Sequence, residues 1–411
     1  MVPQQRIRRV DRAMTPRASA GKAQPDEPIR TETWPRTFIA LIAAAAIALA
    51  GCANGTRHGA RTLPPQRLAI ATSNGVFTWT PATGIRRLES FQSAATNLPA
   101  IRLLSWSRDG RYLGWIQQSA DTGPVTLHWA QLAGSEQHAW SATVPGTPPS
   151  ALIVGATGIT AYEDGLNGDP SQLRHYTTSG PASSTPTILE GSGALSFDDG
   201  FIAITEANGE HANTIYRIGP DGSASSVNTP PGSDTVNEQS LGNWAVSPDG
   251  TRLAAERGVE QDGCGFGPAS RLVLVPAATG LETVHDLPGN ETWRFVSLRI
   301  SPNGTVDLVA ADETRCQSAD PRTGHDTLLP TKLFELSTGT LRPVASHVLM
   351  AERSSSGLLA RISGDWRFSL SRQGSFTEDL PSGPQRVRVG TEPIAVSGTP
   401  TGLVWWPAGG E

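Results

Sequence analysis

Beyond residue 66 the chain runs in short stretches in which apolar and polar residues alternate, each stretch ending in a Gly-bearing turn. A period of two places alternate side chains on opposite faces of a strand, so these stretches predict half-buried β-strands. After Cys52 no stretch keeps a 3.6-residue apolar period over helical length. An all-β chain is expected.

Two ladders of turns organise the strands. The first comprises Ser107-Arg108-Asp109-Gly110, Ala156-Thr157-Gly158, Phe197-Asp198-Asp199-Gly200, Ser247-Pro248-Asp249-Gly250, Ser301-Pro302-Asn303-Gly304 and Ser354-Ser355-Ser356-Gly357. The second closes a later strand at Thr83-Gly84, Ala133-Gly134, Ser179-Gly180, Asp221-Gly222, Thr279-Gly280, Thr338-Gly339 and Gln373-Gly374, after aromatics such as Trp79, Trp129, Tyr176, Phe334 and Phe368. Ser or Asp bonds back to the backbone, Pro presets φ, and Gly takes positive φ at little cost. The ladders interleave at roughly 50 residues, the scale of propeller blades.

Trp106-Ser107-Arg108-Asp109-Gly110-Arg111-Tyr112-Leu113 and Val246-Ser247-Pro248-Asp249-Gly250-Thr251-Arg252-Leu253 resemble the TolB-type, WD40-like propeller repeat. The resemblance covers roughly residues 67–410. Blades three and seven depart from the pattern, and the Trp-Asp dipeptide of true WD40 repeats is missing. It implies a β-propeller, expected to have seven blades, with six or eight also compatible with the spacing. Closure favours seven. The run Leu403-Val404-Trp405-Trp406 reads like the inner strand Leu103-Leu104-Ser105-Trp106, and the strands at 67–72, 75–80 and 85–89 lack an inner partner. The two termini therefore complete one blade and remove exposed edges.

Ahead of the propeller, Phe38 to Ala50 is an apolar run preceded by Arg36 and followed by Gly51-Cys52. It is shorter than the roughly 20 residues that span a bilayer and reads as a signal-peptide core. Leu49-Ala50-Gly51-Cys52 resembles the lipobox of bacterial lipoproteins, which implies diacylglyceryl transfer to the Cys52 sulfur and cleavage before it. The expected domains are a leader and signal peptide over 1–51, a tether over 52–66 and the propeller over 67–411. The expected address is the extracytoplasmic face of the cell membrane.

Charge narrows the partner. Residues 1–51 hold eight basic and four acidic residues of the totals of 33 and 38, leaving 25 against 34, and Lys332 is the one lysine after Cys52. Such a chain lacks the basic patches that contact phosphates, so nucleic acid is excluded. In four-stranded blades both turn ladders fall on one face, leaving longer loops on the other. Those loops, at 117–124, 163–172, 206–213, 256–271 and 311–332, are acidic and include Glu163, Asp164 and Glu256. The candidate binding residues are Asp262, Asp312, Glu313, Arg315, Asp320, Arg322, His325 and Asp326.

Cys264 and Cys316 occupy matching loops of neighbouring blades, which in an oxidising compartment suggests a disulfide. Closing such a loop contributes about 4 kcal/mol in the chain-entropy picture. Catalytic signals are poor: the sequence has no His-Glu-x-x-His pair and no Gly-x-Ser-x-Gly elbow. Glu163-Asp164-Gly165-Leu166-Asn167-Gly168-Asp169 lacks the twelfth-position carboxylate of a calcium loop. No catalytic residue, metal or cofactor is assigned. The expectation is a monomeric, noncatalytic propeller, tethered to the membrane and binding a protein or cell-envelope ligand through an acidic loop face. The alternative is an extracytoplasmic propeller enzyme, a glycan lyase or hydrolase.

Overall fold

A computed structural model of the chain describes residues 66–90, 100–118, 124–132, 139–145, 148–165, 170–177, 179–190, 193–206, 213–226, 241–257, 271–278, 282–289, 293–312, 325–370, 376–379 and 385–406. All of them lie in one compact unit, Leu63–Glu411. The apolar run 38–50 and Cys52 lie outside the described residues.

The chain opens with β1 (Leu68–Thr72), β2 (Gly75–Thr80) and β3 (Gly84–Ser90). Blade 2 follows as β4 (Ala100–Trp106), β5 (Tyr112–Gln118), β6 (Val125–Gln131) and β7 (Ala139–Val144). Blade 3 is β8 (Pro149–Val154), β9 (Ile159–Glu163), β10 (Pro170–Thr177) and β11 (Gly180–Glu190). Blade 4 is β12 (Gly193–Phe197), β13 (Gly200–Glu206), β14 (Asn213–Ile218) and β15 (Ala224–Ser226). Blade 5 is β16 (Leu241–Val246), β17 (Arg252–Arg257), β18 (Arg271–Pro276) and β19 (Thr283–Asp286).

The last two full blades are interrupted. Blade 6 is β20 (Trp293–Ile300) and β21 (Val306–Asp312), then β22 (His325–Leu329), then β23 (Thr331–Leu336) and β24 (Leu341–Ser346). Blade 7 is β25 (Val348–Arg353) and β26 (Leu359–Ser363), then β27 (Trp366–Leu370) and β28 (Phe376–Asp379), then β29 (Arg386–Val389) and β30 (Glu392–Ile394). β31 (Pro400–Trp405) ends the series.

The sheets are antiparallel, seven of them four-stranded, and the architecture is a seven-bladed β-propeller. The ring closes as the sequence predicts. β31 is the inner strand of blade 1 and pairs with β1, Leu68 facing Trp405 and Ile70 facing Leu403. Tryptophans fasten it on both sides: Trp106 Nε1 donates to Val404 O at 3.0 Å, and Trp405 Nε1 to Glu352 O at 2.9 Å.

The first turn ladder repeats one network. The Ser107, Ser247 and Ser354 hydroxyls each accept an N–H from the start of the next strand, from Tyr112, Arg252 and Leu358 at 2.9, 2.9 and 3.0 Å. Gly110, Gly250, Gly304 and Gly357 close these turns and that at Ser301 with φ of 66, 68, 82 and 84°. At Gly250 a Cβ would also lie 2.7 Å from the Phe197 ring of blade 4, so glycine is required there twice over.

Among the described residues no single core fills the ring; apolar clusters sit between neighbouring blades. Trp106 and Trp115 pack with Ala69 and Val76 between blades 1 and 2, and Leu127 and Trp129 with Leu152 and Ile159 between blades 2 and 3. Equivalent clusters join blades 3 to 4, 4 to 5, 5 to 6, 6 to 7 and 7 to 1. Each blade is wedged between its neighbours, and burying each large side chain contributes roughly 1.5–3 kcal/mol.

Two expectations about the ladders and loops are corrected. The second ladder of blade 7 turns at Gly390, φ 58°, between β29 and β30, while Gln373-Gly374 falls between β27 and β28 in an insertion. Residues 311–332 are likewise not one loop, because β22 lies within them and pairs with β27, His325 facing Leu370 and Leu329 facing Trp366. A five-residue strand whose partner comes from the next blade has no local turn to announce it.

Candidate functional site

The insertions of blades 6 and 7 merge into an eighth sheet, ordered β22-β27-β28, on the loop face. Its root is a hydrogen-bonded hub. Thr331 Oγ1 donates to Gly364 O at 2.9 Å, Thr331 N donates to Asp365 Oδ1 at 3.2 Å, and the Asp365 carboxylate faces His347 Nδ1 at 2.8 and 2.9 Å. The backbone completes it, His347 N donating to Thr331 O and Gly364 N to His347 O, both at 2.8 Å. His347 takes a φ of 57° in the link between β24 and β25. This clamp joins the start of β23, the interblade link and the β26–β27 turn.

Of the loop residues singled out by sequence, Asp312 ends β21, its N–H donated to Pro330 O at 2.9 Å, and His325 and Asp326 open β22. The three therefore fall at the base and start of the inserted sheet. Asp262, Cys264, Glu313, Arg315, Cys316, Asp320 and Arg322 lie outside the described residues. Other carboxylates of the acidic loops turn inward. Glu163 is buried and accepts from Tyr176 Oη at 2.6 Å and Arg174 Nε at 3.0 Å. Asp164 accepts from Ser150 Oγ at 3.0 Å, and burial raises its pKa against that bond. Glu256 Oε1 accepts from Phe295 N at 3.2 Å, across the interface from blade 5 to blade 6.

The central channel is a second site, and sequence reading passed over it. Its cavity of about 260 Å³ is walled by the inner strands β4, β8, β12, β16, β20, β25 and β31, one from each blade. The charged lining residues are Arg108, Asp198, Arg299 and Glu352. All four lie toward the tight-turn end: Arg108 and Asp198 within turns, Arg299 and Glu352 two residues before Ser301 and Ser354.

Burial governs the two acids. It raises Asp198 to about 6, with the Arg108 charge opposing and Asp199 and Asp249 adding. Burial raises Glu352 to about 7 against the opposing charge of Arg299 and the hydrogen bond from Trp405. Glu352 Oε1 accepts the Trp405 N–H at 3.0 Å, while Oε2 is buried without a hydrogen-bond partner and stands 4.0 Å from Arg299 Nε. One signal was available in the sequence: opposite charges at equivalent positions of successive inner strands, where blade 5 carries Ala245.

No protein-family model and no curated protein matches the chain. Solved propellers resemble it in fold. TolB from Acinetobacter baumannii aligns at 14% identity and TM-score 0.40 over 68% of this chain, which spans 64% of TolB's length. The periplasmic gluconolactonase PpgL of Pseudomonas aeruginosa aligns at 14% identity and TM-score 0.46, covering 83% of this chain and 99% of that one. The β-propeller domain of the Trilobed protease from Pyrococcus furiosus aligns at 10% identity and TM-score 0.43, covering 75% and 90%. The likeness is one of architecture.

Proposed function

We propose that the protein is a lipid-anchored, extracytoplasmic propeller that binds a protein or cell-envelope partner through its loop face and carries out no chemistry of its own. The observation that carries this reading is the sheet β22-β27-β28, raised from two adjacent blades over a ring that is already closed without it. Among the described residues its outer strands β22 and β28 pair on one side only, which leaves main-chain edges to which a partner strand can add. The anchor rests on Leu49-Ala50-Gly51-Cys52 and the apolar run before it. Two acyl chains at about 0.8 kcal/mol per buried methylene hold such a domain on a membrane. Fifteen tether residues, 52–66, reach at most about 50 Å when extended, enough to let the domain stand clear of the surface.

Photo-crosslinking on intact cells from a probe at Thr327 in β22, which lies outside the segment replaced below, is expected to trap a discrete partner. Replacing residues 366–379 by a short Gly-Ser turn is expected to remove that partner from the crosslinks of the intact propeller. Crosslinks unchanged by the replacement refute the loop-face reading, and turnover of envelope glycans by the purified protein refutes the noncatalytic one. The anchor is tested by Cys52→Ser, which is expected to abolish fatty-acid incorporation; continued labelling refutes it.

A further inference from the structure

We propose that the tight-turn end of the central channel binds a small zwitterion of amino-acid or dipeptide size, its ammonium group received by Glu352 and its carboxylate by Arg108 and Arg299. This site lies at the opposite end of the ring from the loop-face sheet and does not depend on it.

The size of the space sets the class of ligand. The channel offers about 260 Å³, room for a molecule of amino-acid or dipeptide size. Charge sets the polarity. The lining carries two arginines and two carboxylates at one end, a balance that matches a ligand bearing both signs better than a simple anion or cation.

Glu352 supplies the directional demand. Oε1 is satisfied by the Trp405 N–H, but Oε2 is buried with no donor among the described residues, and Arg299 Nε at 4.0 Å is beyond hydrogen-bond reach. Leaving a buried acceptor unpaired costs about 1–3 kcal/mol, more for a charged one, and a ligand N–H in the channel removes that cost. Arg299 is differently placed. Its Nη1 donates to Leu298 O at 2.9 Å, which orients a guanidinium whose side chain is 43% exposed, and Arg108 stands exposed in its turn beside Asp198. Guanidinium forks suit carboxylate recognition.

Part of the wall is apolar, alongside Ser105, Ser150 and Ser196. Trp106 and Trp405 donate their indole N–H groups into the backbone, to Val404 O and Glu352 O, and so turn no donor of their own to the ligand. With Leu103 and Leu403 they line the cavity for an aliphatic side chain. That composition points to an aliphatic amino acid or dipeptide.

Calorimetric titration of the full chain tests this with four probes: L-leucine, L-leucyl-L-leucine, N-acetyl-L-leucine and L-leucinamide. The expected result is binding of leucine or the dipeptide at one per chain, weakened at least tenfold when either charge is capped. Glu352→Gln, which keeps an acceptor for Trp405 N–H, is expected to weaken the ammonium-bearing probes at least tenfold and to erase discrimination against N-acetyl-leucine. Arg108→Gln, in an exposed turn, is expected to weaken the carboxylate-bearing probes and keeps the test decisive should Glu352→Gln not fold. The proposal is overturned if the folded protein binds neither zwitterion at millimolar concentration. Equal binding of capped and uncapped probes, or binding unchanged in Arg108→Gln, also overturns it.

Discussion

Two neighbouring seams of the ring are built by opposite means. Between blades 5 and 6 the contact is mainly apolar, with Glu256 and Asn243 bonding the Phe295 backbone beside it: Ala245, Ala254 and Leu272 meet a cluster that includes Trp293, Phe295, Leu308 and Phe334. Trp293 and Phe334 pack edge to face with centroids 5.2 Å apart. Between blades 6 and 7 the described apolar cluster is Val309, Leu333, Val348 and Ala351, with an ion network beside it. There Arg353 Nε donates to Asp307 Oδ1 at 3.0 Å, Arg353 also pairs with Glu335, and Glu335 accepts from Arg342 at 2.6 Å. Arg299 and Glu352 stand across the same seam at the channel, and the inserted sheet springs from the same pair of blades. A mainly apolar seam holds chiefly by area, with little dependence on pH; a polar seam holds by geometry and by protonation, and the elaborations of this propeller lie along the polar one.

The largest expected effect comes from opening the ring. Deleting residues 400–411 removes β31, the inner strand of blade 1, and is expected to abolish the single cooperative unfolding transition. Hydrogen exchange in what remains should rise in β25, which loses both Trp405 hydrogen bonds and has the smaller apolar contact on its other side, before β16. The reverse order would break the comparison.

Substitutions within the ring separate the seams by pH. Phe334→Ala is expected to cost about 3–5 kcal/mol at pH 5 and pH 8 alike, as cavity creation in an apolar seam should. Arg353→Met is expected to cost about 3–5 kcal/mol at pH 8, where it strands the Asp307 charge, and less at pH 5. Burial raises Asp307 to about 6 despite the nearby Arg353 charge, so below that value the carboxyl is neutral and loses little with the arginine. Urea melts at the two pH values compare the variants. An Arg353→Met penalty as large at pH 5 as at pH 8 would remove the electrostatic account of this seam.

Glu352→Gln tests the channel end. Its carboxyl is ordinarily near 4.5 and stands at about 7 when folded. Between those values the native chain holds a proton that the unfolded chain has lost, so stability falls as pH rises through this window. The glutamine variant should flatten that decline by up to about 3 kcal/mol, read from denaturant melts between pH 4 and 8. The smallest effect is at the hub. His347 is largely exposed, so Asp365→Asn is expected to cost roughly 0–1 kcal/mol while increasing exchange of the β27 amides.

Much of the ring is legible along the chain because its turns are local. Ser247, Asp249 and Gly250 bond within five residues, so the turn is written where it forms. Closure is legible for a related reason: the run Leu403–Trp406 reads as an inner strand, and three opening strands lack one. Blade 7 misleads because its third and fourth strands come after an inserted hairpin, so Gln373-Gly374 imitates a turn that belongs at Gly390. Glu163 and Glu256 misled in another way. Loop carboxylates read as part of an acidic binding face until Tyr176, Arg174 and Phe295 are brought to them across strands and blades.

Alternation and turn chemistry by themselves determined the strands, the repeat and the joining of the two ends, because those depend on hydrogen bonds and side-chain faces within a few residues. Tertiary structure alone decided that β22 pairs with β27, that Asp307, Glu335 and Arg353 share one buried network, and that Arg299 and Glu352 face a common channel. Each of those joins segments from different blades, and their charges acquire partners, burial and shifted protonation only when the ring bends them together.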